Sequence, residues 1–266
     1  MTSVLINSSP PVNVKGVLFD LEGVLYIGSK AIEGAIVAVN KIRANGILCR
    51  FVTNTSTLSL LNLQRKVNAL GFTFPATEII SAPQATLLYL RQQPNPICRL
   101  LLADDVKHDF KEFRQSDIDA NHIIIGDIGN AWTYELLNAV FNRLINGAKL
   151  IAIHKNKFWQ TEHGLQMDIG GFIAALEYVS GVKAMMIGKP SPDFFQIAID
   201  EIGLKPSEVI MIGDDIDSDV GGAQQAGLRG VLVKTGKYRQ AYAEASVIKP
   251  DLLINSIADL PVALGL

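Results

Sequence analysis

Four short polar stretches, each directly after an apolar run, carry the side chains with chemical potential. Asp20-Leu21-Glu22-Gly23 follows Val14 to Phe19, and Thr53-Asn54-Thr55 follows Ile47 to Val52. Gly188-Lys189-Pro190 follows Lys183 to Ile187. Gly213-Asp214-Asp215, with Asp217 and Asp219 beyond, follows the run that ends at Ile212. A cluster of carboxylates is costly unless a cation neutralises it. Oxygen donors with places left for water and substrate suit Mg²⁺. A hydroxyl, an ammonium and loop N–H groups pair with the acceptor oxygens of a phosphoryl group. A carboxylate facing such a group can attack it and form an acyl phosphate. A second carboxyl two residues on can serve as general acid, then base.

Each stretch alone has an ordinary explanation. Asp20 to Glu22 could be a solvated turn, Thr53-Asn54 a helix N-cap, Gly188 to Pro190 another turn. Asp214 to Asp219 could be an acidic helix start favoured by the dipole. All four in this order, each at the end of a predicted strand, form a set. In an open α/β sheet, ligands bind beyond the carboxyl ends of the strands.

The elements that must position these residues alternate along the chain. Val14 to Phe19 reads as a buried strand. Ala35 to Ala44 has helical spacing and stops at Gly46. Ile47 to Val52 is a strand, and Leu58 to Leu70 a helix stopped by Gly71. Cys98 to Ala103, His122 to Ile125 and Leu150 to His154 read as strands. Trp132 to Ile145 and Gly170 to Val179 read as helices. Lys183 to Ile187 restarts the first rhythm as a strand. The helix Asp193 to Ile202, strand Glu208 to Ile212, helix Asp217 to Ala226 and strand Gly230 to Lys234 follow. This alternation predicts a parallel sheet covered on both faces. Pro83 and Pro94-Asn-Pro96 punctuate it, and a core interrupted by an insertion from about Gln84 to Gly181 is expected.

Length and composition agree. At roughly 150 residues per domain, 266 residues predict about two domains, or one core with a large insertion. A chain with 48% hydrophobic and 19% charged residues is not a disordered one. A net charge of -2 without a basic block argues against nucleic acid or an anionic membrane as main partner. No apolar run approaches the ~18 residues of a membrane span. Cys49 and Cys98 sit in apolar strand-like segments and read as small buried thiols. The start, MTSVLINSSPPVN, lacks the basic and apolar regions of a secretory signal. A reduced, cytoplasmic protein is expected. No G-x-G-x-x-G and no G-x-x-x-x-G-K-[ST] occurs, which argues against a nucleotide-binding dehydrogenase.

The polar set resembles the haloacid dehalogenase superfamily of phosphotransferases. Its pattern is D-x-D, then Thr or Ser, then Lys, then G-D-D-x-x-x-D. The stretches RFVTNTS, LIAIHK, FIAALEY, GKP, MIGDD, DVGGAQ and LVKTGKY resemble the NagD-like branch, which carries a large cap between its second and third motifs. The resemblance implies a Rossmann-like doubly wound parallel core of residues 1–83 and 182–266. Residues 84–181 would form an inserted α/β cap, hinged near Ala82-Pro83 and Val182. It implies Asp20 as the nucleophile that becomes phosphorylated. Thr53 and Asn54 would bind phosphate, and Lys189 would pair with the nucleophile and the phosphoryl group. Mg²⁺ would be held by Asp20, Asp214 and the backbone carbonyl of Glu22. Asp215 and Asp219 would hold the metal through water or fix the site's shape. The implied partner is a small phosphorylated substrate, and a homodimer through the cap is compatible with it.

Glu22 departs from the pattern, since most phosphatases of the superfamily carry Asp there. Glu keeps the carboxyl and adds about 1.2–1.5 Å of reach. Backbone coordination of Mg²⁺ does not depend on that side chain, whereas turnover does. A phosphatase and a slow metal- and phosphate-binding regulatory protein both fit. A metal-free dehalogenase does not, because the Asp214 to Asp219 cluster would lack its cation.

Within the insertion, His154, Lys155, Asn156 and Lys157 follow a strand and either line an entrance or form a solvated loop. Asp104-Asp105 and Asp127 read as loop or cap residues. His163 and the remaining histidines lack ligand spacing. Trp132 and Trp159 read as packing residues.

Overall fold

Short runs of β-branched and aromatic residues, separated by helices long enough to cross back, can pair only in parallel. The computed structural model describes residues 13–161 and 164–266; its two larger sheets follow that rule, and two hairpins of adjacent strands are antiparallel. In chain order the strands are β1 (Gly16–Phe19), β2 (Tyr26–Ile27), β3 (Lys30–Ala31), β4 (Leu48–Thr53) and β5 (Ile79–Ser81). Then come β6 (Ile97–Leu101), β7 (Arg114–Gln115), β8 (His122–Ile125), β9 (Lys149–Ala152), β10 (Phe158–Thr161) and β11 (Gly164–Met167). The last four are β12 (Met185–Met186), β13 (Val209–Gly213), β14 (Arg229–Val233) and β15 (Leu252–Ile254). A six-stranded sheet has the order β15-β14-β13-β1-β4-β5, and a five-stranded sheet the order β12-β9-β8-β6-β7. The fold is Rossmann-like α/β.

The described chain divides into two compact units. The first takes the chain up to Thr53, Gln64–Ile80 and Lys189–Leu266; the second takes Asn54–Leu63 and Ser81–Gly188. In the first unit, β1 lies at the centre of the sheet and is wholly buried. It pairs parallel with β13 and β4, with Phe19 opposite both Ile212 and Phe51. That register brings Asp20, Thr53 and Asp214 out at one sheet edge. Helix Ala35–Ala44 presents Ala35, Ala38, Val39 and Ile42 inward, the spacing of one apolar stripe. Gly46 follows it at φ +76, the left-handed turn a glycine closes most readily.

The second unit has its own core. Leu101, Ile123, Ile125, Leu150 and Ile173 are buried together, with Val182 and Ala184 packed against them. Two expectations are corrected here. Lys183 to Ile187 is not a strand of the first sheet, because only Met185 and Met186 are extended and they pair with Ile151 and Ala152 of β9. The second unit therefore runs on past Val182 to Gly188, and it also takes in Asn54–Leu63. A short apolar run says that a strand exists and not which sheet it joins.

The stretch expected as one helix, Asp217 to Ala226, is a wide π-type turn over Ile216–Gly221 followed by a short α-helix, Gly222–Gln225. Trp132 packs, stacked on Phe172 at 4.3 Å, whereas Trp159 is exposed. Cys49 and Cys98 are both buried. His163 and most of the N-terminal segment lie outside the described residues. Among the described residues no helix is long and apolar enough to cross a membrane.

Candidate active site

The carboxyl edge of β1, β4 and β13 gathers most of the chemistry. Asp20 ends β1, and its N–H donates to the Ile212 carbonyl at 2.9 Å, which fixes the residue beside β13. One carboxylate oxygen from each of Asp20, Asp214 and Asp219 lies within 4.8 Å of the others, and all three residues are buried. Lys189 opens the returning segment of the first unit. Its ammonium donates to Asp20 Oδ1 at 2.6 Å and to the Val52 carbonyl at 3.3 Å, and lies 2.7 Å from Asp219 Oδ1. Thr53 is buried at the end of β4. The structure thus brings together Asp20, Thr53, Lys189, Asp214 and Asp219. Asn54 belongs to the second unit, where a Cβ on Gly188 would run into its side chain.

The π-type turn after β13 is held by its own carboxylates. Asp215 Oδ1 accepts from the N–H groups of Asp217 and Ser218, at 3.0 and 3.1 Å. Asp219 reaches back, and its Oδ2 accepts the Asp215 N–H at 3.1 Å. Asp215 thus caps the start of the turn as an N-cap residue does, and the Asp219 bond ties the turn back to β13. Asp217 points elsewhere and accepts the Tyr242 hydroxyl at 2.6 Å.

Burial without full neutralisation perturbs these groups. Burial raises the Asp214 carboxyl well above the usual range, and nearby Asp20 adds to the rise against the lowering effect of Lys237. Asp219 is pushed up to about 6 by burial, with Lys189 opposing and Asp20 and Asp215 adding. Burial works against the Lys189 ammonium, but Asp20 and Asp219 outweigh it and hold its pKa above the ordinary value.

Glu22 sits differently. Its Oε1 accepts the Gly28 N–H at 2.7 Å, and its Oε2 lies 3.5 Å from Lys66 Nζ. Lys66 also lies 4.3 Å from the centre of the Tyr26 ring. Burial raises the Glu22 carboxyl, against the Gly28 hydrogen bond and Lys66.

The sequence stretch LVKTGKY carries the resemblance, but sequence reasoning gives its turn Thr235-Gly236-Lys237 no role. The Lys237 N–H donates to Asp214 Oδ2 at 2.6 Å, and its ammonium lies 3.8 Å from Asp215 Oδ2. Burial would lower the Lys237 pKa, but Asp214 and Asp215 hold it up. The signal was available: this turn follows β14, another strand ending at the same edge.

In the second unit, His154 is buried rather than solvated. Its Nε2 lies 3.4 Å from Ser56 Oγ and its Nδ1 4.0 Å from Asp168 Oδ2. Asp105 accepts from the N–H and hydroxyl of Ser59 and from Asn62, at 2.8, 3.0 and 2.7 Å, so it anchors the 54–63 segment. Lys155 pairs with Glu177.

Comparisons with known proteins place this geometry. The haloacid dehalogenase-like hydrolase family matches residues 17–116, and a HAD-hydrolase-like family matches residues 186–260. The chain is 39% identical over 253 residues to phospholysine phosphohistidine inorganic pyrophosphate phosphatase of Xenopus laevis, covering 92% of each chain. It is 43% identical over 229 residues to haloacid dehalogenase-like hydrolase domain-containing protein 2 of Bos taurus, covering 86% of this chain and 87% of that one. Among solved structures it is similar to the p-nitrophenyl phosphatase from Archaeoglobus fulgidus. The TM-score is 0.87 at 26% identity, over 95% of this chain and 100% of that one.

Proposed function

The chain belongs to the haloacid dehalogenase-like hydrolases, and from that premise we propose that it is a Mg²⁺-dependent phosphatase acting on a small phosphorylated compound through Asp20. The observation that carries this reading is the buried Lys189 ammonium between Asp20 and Asp219, beside Asp214, at the carboxyl edge of the sheet.

The donor set fits a divalent cation. Asp20, Asp214, Asp215 and Asp219 carry four negative charges in the ionised state, and Lys189 and Lys237 return two. The carboxylates of Asp20 and Asp214 and the carbonyl of Glu22 would hold the ion, which when bound supplies positive charge to the phosphoryl oxygens.

In the proposed reaction an Asp20 carboxylate oxygen attacks phosphorus in line. The bond to the leaving group breaks as the aspartyl phosphate forms. Lys189 and the Thr53 hydroxyl neutralise charge on the transferred oxygens, and Asn54 contributes to phosphate binding. Glu22 gives a proton to the leaving group, then takes one from the water that cleaves the aspartyl phosphate. Its raised pKa suits the donor role. The second unit serves as the cap that selects the substrate.

One observation favours a second reading. The Glu22 carboxylate already has Gly28 and Lys66 as partners, as in a slow metal- and phosphate-binding protein. A substrate panel with and without Mg²⁺ decides between them. The relatives' names put phospholysine, phosphohistidine, inorganic pyrophosphate and 4-nitrophenyl phosphate on that panel. Metal-dependent turnover supports the phosphatase; Mg²⁺ and phosphate binding without turnover supports the second reading.

A further inference from the structure

The reaction proposed above gives no task to Lys237, although this partly buried residue touches the acidic cluster twice. Its backbone N–H holds Asp214, and its ammonium faces Asp215 at 3.8 Å. The turn that carries it is closed tightly on the first loop. Gly236, at φ +58, and Gly23, at φ +88, both approach Asp214 so closely that a Cβ on either would overlap its carboxylate. The Thr235 hydroxyl donates to the Gly23 carbonyl. The charged groups around the Lys237 ammonium are Asp214, Asp215, Asp20 and Asp219, with Lys189 on the far side of the cluster bound to Asp20 and Asp219.

We infer that Lys237 is a positioning residue that acts as a built-in counter-cation. It holds the acidic cluster together before a metal arrives, and it weakens metal binding by repulsion afterwards. This rests on the metal-binding reading above. The physical basis is simple. Three buried carboxylates and the half-buried Asp215 repel one another, and only two ammoniums offset them. A divalent ion entering the cluster gains from the carboxylates and loses to each ammonium already there.

The backbone bond to Asp214 survives any side-chain change, so the ammonium can be tested alone. Lys237→Met removes the charge and keeps the stem. Lys237→Arg keeps the charge. Mg²⁺ affinity is measured by calorimetric titration, and Tm with and without Mg²⁺, for wild type and both variants. Lys237→Met is expected to bind Mg²⁺ about tenfold more tightly, to melt lower without metal, and to gain more Tm from metal than wild type. Lys237→Arg is expected to follow wild type. A Lys237→Met protein that folds only with Mg²⁺ also supports the inference. Unchanged or weaker binding by Lys237→Met overturns it, as does an equal shift in Lys237→Arg. Failure of both Lys237→Met and Lys237→Gln to fold even with Mg²⁺ overturns it too, in favour of a purely structural role. Wild-type protein that binds no Mg²⁺ sinks the metal reading itself, whereas wild-type binding with an unmoved Lys237→Met sinks only this inference.

Discussion

Glu22 is the residue at which sequence and chemistry disagree most. The longer side chain finds two partners, the Gly28 N–H and Lys66, and its carboxyl is held above its ordinary pKa by burial. If it transfers the proton, Glu22→Gln should lower kcat by about 10²–10⁴. Glu22→Asp, which restores the commoner residue of the superfamily, should keep or raise it. An unchanged kcat in Glu22→Gln would remove Glu22 from the reaction. Asp20, Lys189 and Asp214 stand out in the sequence only as a set, because each alone is an ordinary turn residue and together they follow successive strand-like runs. Lys237 is less plain although its turn follows a strand-like run, because part of what it does is done by its backbone N–H, which no residue type announces. His154 was misjudged for a related reason. One contact of its buried ring comes from Ser56, nearly a hundred positions away in sequence.

Among the elements, the turn after β13 sets the site's shape, and Gly213 makes it possible. A Cβ at Gly213 would collide with the Asp219 side chain. Gly213→Ala is therefore expected to cost about 1–3 kcal/mol in urea unfolding, the range for a small-to-large change in a packed site. A cost under about 0.5 kcal/mol would show that the turn is softer than described. Where one apolar stripe dominates, the sequence reading was close: helix Ala35–Ala44 was read to the residue. Helix Ala82–Arg91 is absent from the sequence reading, where Pro83 reads as punctuation. In the structure Pro83 sits in the first turn, where proline lacks no needed donor, and Ser81 caps the helix by accepting the Gln84 N–H. Met185–Met186 went to the wrong sheet because pairing partners are a property of packing, not of a two-residue strand.

At the scale of the whole molecule, an insertion into an α/β chain was legible from rhythm and length. Its limits were not, since the 54–63 segment joins the second unit through Asp105, far along the chain. Each unit contains one buried cysteine, Cys49 in the first and Cys98 in the second. Burial pushes both thiols up to about 11. Only about one thousandth of each would be thiolate at pH 8. The native protein should therefore resist a thiol reagent at pH 8, and both thiols should react in denaturant. Fast labelling of either thiol in native protein would show that its unit opens readily. The proposed attack of Asp20 on a phosphoryl group, with its metal dependence, can be read out in one assay. The most direct test is the rate of 4-nitrophenyl phosphate hydrolysis by wild type and Asp20→Asn, each with Mg²⁺ and with chelator, after circular dichroism has shown both folded. The expected result is turnover by wild type with Mg²⁺ alone and a loss of at least about a thousandfold in Asp20→Asn. Wild-type turnover that persists in chelator, or full activity in Asp20→Asn, would contradict the account.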